Sequence, residues 1–135
     1  MTIRAAPIER ARPLPDSRVL VMAAARCWRV ARDTGAPVQQ CLHAVLAPLR
    51  CDMLAPVFDS LMTLCEAALG RSIRAGTAAP SDDEALLLGL LDGSKRRSAC
   101  IDCAAGPASA LDCAICSTRI MIALAMGPPS REMPR

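Results

Sequence analysis

The pattern with the most chemical content is Cys100-x-x-Cys103 followed, after nine intervening residues, by Cys113-x-x-Cys116. Thiolates are soft ligands, and four of them satisfy tetrahedral Zn²⁺, so paired CxxC motifs invite a zinc reading. The flanks argue the other way. Ala-Cys-Ile-Asp-Cys-Ala-Ala and Asp-Cys-Ala-Ile-Cys-Ser read as helix and lack the Pro, Gly and Lys that build a metal knuckle. A helical hairpin turning at Gly106-Pro107 sets Cys100 level with Cys113 and Cys103 level with Ala110. Cys116 then lies ~9 Å further along at the helical rise. Four sulfurs ~2.3 Å from one ion would require that helix to unwind. A redox dithiol in one CxxC lacks the βαβ context such motifs use.

The other four cysteines, Cys27, Cys41, Cys51 and Cys65, stand singly on separate segments. Copper(I) suits thiols and the seven methionines, but a copper-storing bundle needs sulfurs converging on one lumen. Cys27 and Cys65 fall on apolar faces beside Leu20 and Leu61, as small buried hydrophobes do. The expectation is that most of the sulfur is packing material.

Other candidates give less. His43 is the only histidine, which excludes HExxH chemistry. It falls on the polar side of its helix, with Cys41 pointing elsewhere, so it reads as a surface residue rather than the base of a Cys–His pair. Asp82-Asp83-Glu84 could hold a metal or work as acid and base, but a capping box with Ser81 and the helix dipole account for it. Lys95-Arg96-Arg97 could touch phosphate or an acidic partner, and reads first as a solvated face. No GxGxxG, GxxxxGK[ST] or GxSxG occurs. Nucleophile, base and oxyanion donors cannot be assembled from these residues, so no enzyme is expected.

The elements that must carry these residues are helices. The 135 residues are 53% hydrophobic and 21% charged, a globular balance for one domain. One Trp, one Phe and no Tyr exclude stacking platforms for single-stranded nucleic acid. The net charge is +3, and most of that excess lies in the tails, so no nucleic-acid partner is expected. No secretory signal and no uninterrupted apolar run of spanning length is read, so the chain is placed in the cytoplasm, off the membrane, with reduced cysteines.

Residues 1–16 and 128–135 read as flexible tails around a helical domain at 17–127. The first helix runs from Ser17 to near Gly35. Arg18, Arg26, Arg29, Arg32 and Asp33 share one arc; Leu20, Ala24, Cys27, Trp28 and Ala31, with Val19 and Val30, share the other. The second starts at Pro37 and ends or kinks at Pro48. The third runs from about Met53 to Leu69, with Asp52 as cap, Gly70 as stop, and Asp59, Thr63 and Glu66 facing away from the core. After a loop at 71–80, the fourth begins with Ser81-Asp82-Asp83-Glu84 and stops at Asp92-Gly93. A fifth is expected from Lys95 to Ala105. A sixth follows Gly106-Pro107 and runs to Met126. It is apolar on two sides, with Leu111, Ile115 and Ile122 on one and Cys113, Cys116, Ile120 and Leu124 on the other. Such a helix sits between neighbours or at a dimer seam.

The run from Leu14 to Leu20 and the segment from Pro80 to Leu88 resemble a small family of all-helical alphaproteobacterial proteins of unknown function. The similarity covers roughly residues 14–126. The family's members carry cysteines just before the capping box, where this chain reads Ala75-Gly76-Thr77-Ala78-Ala79. The resemblance implies an all-α fold and no activity. The reading is therefore an all-α, compact antiparallel bundle of five or six helices. It is expected to be non-enzymatic and without cofactor, acting through protein contacts or as a homodimer. The alternative is a thiolate zinc protein using Cys100, Cys103, Cys113 and Cys116.

Overall fold

A computed structural model of the chain describes residues 17–126, so the expected tails lie outside the described residues. Within them the chain is all-α: α1 (Ser17–Thr34), α2 (Val38–Leu46), α3 (Ala55–Leu69), α4 (Asp82–Asp92), α5 (Arg97–Cys100) and α6 (Ala105–Met126), with no strand among the described residues. The bundle expected from periodicity is the one found. The largest helix–helix contact is between α3 and α6, and the next is between α1 and α2.

Local rules set most of the ends. Gly35, Gly70 and Gly93 follow α1, α3 and α4 with φ of 73°, 72° and 87°, the left-handed conformation glycine adopts without steric cost. Pro37 precedes α2 as its cap rather than opening it. Pro48 ends α2 in a 3₁₀ turn, Ala47–Leu49. Asp52 opens a second 3₁₀ turn, Asp52–Leu54, that feeds α3, and Pro56 sits harmlessly in the first turn of α3.

One core joins all the long helices. Trp28 and Phe58 are its largest side chains, packed with Leu20, Leu42, Leu46, Leu54, Leu61 and Leu111. Helix α1 is rolled relative to the expected arc. Val21 and Ala25 are buried, while Val19 and Val30 are exposed. The roll brings Arg26 and Arg29 to carboxylates on other helices. Arg29 pairs with Glu66 of α3, and Trp28 Nε1–H donates to Asp59 at 2.9 Å. The polar edge of α3 therefore faces α1, which corrects the expectation that Asp59 and Glu66 point away.

The expected fifth helix is cut to the four residues of α5. Ile101 leaves the helix in an extended conformation and plunges into the core. Burying one β-branched side chain outweighs continuing an exposed helix. The chain then reverses at 101–104, and α6 already begins at Ala105. Gly106-Pro107 is thus not the turn; Pro107 lies in the first turn of α6, where its missing N–H costs nothing.

The segment between α3 and α4 has no regular structure, yet it is tied down. The amide of Ile73 donates to Glu66 (2.8 Å), that of Arg74 to Asp83 (2.8 Å), and that of Ser81 to Glu84 (3.0 Å). Arg71 closes a two-pronged pair with Asp83 at 2.7 and 2.8 Å.

Candidate functional site

The acidic cluster is structural. Ser81 accepts the Glu84 amide at 3.0 Å and Glu84 reaches back, the capping box expected of this sequence. Glu84 is 1% exposed and forms a forked pair with Arg26 of α1 at 3.0 and 3.1 Å. Burial alone would raise the Glu84 pKa. The Arg26 guanidinium and the amides of Ser81 and Gly76 outweigh it and hold the carboxyl below the usual range. Asp83 is likewise held down, chiefly by Arg71, against the cost of its burial. Neither carboxylate is available for a metal or for proton transfer to a substrate. His43 lies exposed on α2 with its Nε2 3.3 Å from Asp52, as a surface histidine would.

The cysteines divide by burial. Cys51 and Cys65 are in the core. Burial pushes the Cys65 thiol up to about 12, with Glu66 adding to the shift. Cys51 is raised by burial and then by Asp52, and its Sγ donates to the Leu49 carbonyl at 3.3 Å. Cys27 is only half-buried; burial raises its pKa and so does neighbouring Cys41. Cys100, Cys113 and Cys116 are exposed and Cys103 is half-buried. The expectation that sulfur serves as packing holds for Cys51 and Cys65 in the core and for Cys27 and Cys103, which pack against it, and is corrected for the exposed Cys100, Cys113 and Cys116. The reason is that α6 lies on the bundle rather than inside it.

The four thiols weighed as zinc ligands occupy the end of α5 (Cys100), the reversal (Cys103) and the outside of α6 (Cys113 and Cys116). Among the described residues no three of His, Cys, Asp and Glu gather closely enough to hold a metal ion. A thiol reagent is expected to modify Cys100, Cys113 and Cys116 in the native protein, and Cys51 and Cys65 only on unfolding. Mass mapping after a short pulse reads this directly. C-terminal thiols shielded until a chelator is added would instead favour the zinc arrangement.

Comparison with known families, characterised proteins and solved structures finds no match. Function must therefore be sought in the chain's own surface.

There α6 stands out. Its inner face buries Ala108, Leu111, Ile115, Thr118 and Ile122, and Thr118 satisfies its hydroxyl on the Ala114 carbonyl at 2.6 Å. Its only charged residues, Asp112 and Arg119, lie one helical repeat apart, toward α4 and α5. The outward arc runs through Ala110, Cys113, Ser117, Ile120 and Leu124 and carries no charge. Ile120 is 54% exposed and Leu124 72%. The outer face of a surface helix is normally its charged face. Sequence periodicity found both apolar sides of α6 but could not say that only one would be covered.

Proposed function

We propose that this chain is a non-enzymatic helical protein that acts through protein–protein contact, first of all with a second copy of itself, along the outer face of α6. One observation carries the reading: an exposed helical arc with large apolar side chains and no charge from Ala105 to Met126. A 22-residue helix is ~33 Å long, enough to seed a standard interface of ~800 Å² per partner once its flanks contribute. A two-fold dimer needs one patch that complements itself, and an uncharged ridge of small and aliphatic residues meets no like-charge penalty when doubled. A cytoplasmic setting with reduced thiols goes with this reading.

Light scattering across a concentration series tests it. A dimer is expected, and Ile120→Glu with Leu124→Glu is expected to give a monomer of unchanged helicity, since both side chains already face solvent. A monomer at every concentration would sink the reading. Helix α6 is also long and apolar enough to cross a membrane by length and composition. Partition of the protein into uncharged vesicles, abolished by the same pair of substitutions, would replace self-association with membrane binding.

A further inference from the structure

Beside α6, but on a different face, the last turn of α4 and the segment after it form a cleft of about 270 Å³. The chain wraps back there. The Lys95 amide donates to the Gly89 carbonyl at 3.0 Å, and Asp92 accepts the Ser94 amide at 2.8 Å. Two glycines then make room for two cations. The Lys95 stem lies against Gly89, where an added Cβ would meet its Cγ and Cδ at 2.6 Å. The Arg119 guanidinium lies against Gly93, where a Cβ would come within 3.2 Å of its Nη2. Lys95, Arg96, Arg97 and Arg119 all line the cleft, over a floor that includes Ile115.

The one carboxylate in the lining is already committed. Asp112 accepts Arg97 Nε at 2.7 Å and Nη2 at 3.2 Å, and the remaining Arg97 nitrogen donates to the Ile101 carbonyl at 3.0 Å. Lys95, Arg96 and Arg119 make no ion pair with any described residue. Asp92, the next acid, is held by Ser94, and Arg18 and Arg119 act on it only through space. Elsewhere Arg26, Arg29 and Arg71 each meet a carboxylate. Three cations brought to one concavity without that compensation repel one another, and a multivalent anion relieves the repulsion.

We propose that this cleft is a binding site for a phosphate-bearing anion of diphosphate charge, with Lys95, Arg96 and Arg119 as its donors. Guanidinium groups match phosphate oxygens by paired N–H donors, and lysine adds a point charge. The volume suits a diphosphate group, and the aliphatic floor offers no aromatic ring on which a base would stack. The phosphates can belong to a free compound or to a lipid headgroup; the chemistry of the site is the same.

Calorimetric titration with sodium pyrophosphate at low ionic strength, alongside sedimentation with vesicles containing cardiolipin, whose headgroup carries two phosphates, distinguishes the two sources. Saturable binding is expected, weakened about tenfold by each of Arg96→Gln and Arg119→Gln, in keeping with charge-assisted hydrogen bonds. Arg74→Gln, outside the cleft, should leave it unchanged. Pyrophosphate binding lost in the double variant assigns a free ligand. Vesicle binding alone, lost in the same variant, assigns a headgroup. Binding of neither probe, or binding indifferent to both substitutions, overturns the site.

Discussion

Glu84→Ala is expected to lower the unfolding free energy by about 3 kcal/mol, near the lower end of what breaking a buried ion pair costs. The estimate sits there because Arg26, 34% exposed, can turn back toward water once its partner is gone. Two losses coincide: the forked pair with Arg26, and the half of the capping box in which Glu84 accepts the Ser81 amide. Urea titration followed by circular dichroism measures the change, and a loss below about 1 kcal/mol would refute the role given to this carboxylate. Glu84→Gln keeps an acceptor for Ser81 and should cost less. The same residue shapes acid stability. Glu84 and Asp83 have folded pKa values below their unfolded ones, so the unfolded state binds more protons as pH falls. Their contribution is complete above the unfolded carboxylate range of ~4 and disappears as pH drops through the lower folded values. Glu84→Gln should therefore flatten the acid limb of a stability–pH curve by lowering its neutral plateau more than its acid end.

Trp28→Ala is expected to be at least as damaging, about 3–5 kcal/mol, as for other large aromatic truncations in a core. Trp28 is wholly buried where α1 meets α3, and its N–H is satisfied by Asp59. Asp59 also accepts Gln39 of α2 at 2.8 Å, so one carboxylate links three helices. Arg29 and Arg32 lie 5.3 and 5.0 Å from the ring centroid and hold it by cation–π attraction. Trp28→Phe keeps most of the apolar volume and drops the N–H, so a cost of about 1–2 kcal/mol is expected. Equal losses in the two variants would mean that the hydrogen bond, not the packing, dominates. Thermal melts followed at 222 nm, which do not depend on tryptophan fluorescence, separate the outcomes.

What could be read from the sequence was whatever a few neighbouring residues decide. Ser81 and Glu84, three positions apart, announce the start of α4; Gly35, Gly70 and Gly93 announce ends. The apolar repeats of α2, α3 and α6 were visible for the same reason. What escaped depends on partners far along the chain. Nothing near Arg26 reveals that Glu84, 58 residues away, will bury itself against it. The truncation of α5 depends on a vacancy in the core that only the assembled bundle offers to Ile101. The cysteines show both limits at once. Cys65 could be placed by its helical face, whereas Cys113 and Cys116 sit on an apolar side whose covering no local pattern determines. The basic triplet at Lys95 looked like an ordinary solvated run because Arg119 in α6, which completes the arrangement with Gly89 in α4 and Gly93 just after it, is far along the chain.

The stretch joining α3 to α4 has a consequence for how substitutions should propagate. Its amide protons at Ile73, Arg74 and Ser81 end on side-chain oxygens of Glu66, Asp83 and Glu84 instead of on backbone carbonyls. A helix carries its own hydrogen-bonding partners wherever it goes; this stretch borrows them. Removing the oxygens of any one lender therefore releases a piece of main chain whose own sequence is untouched. The loosened region would be found several residues from the altered codon.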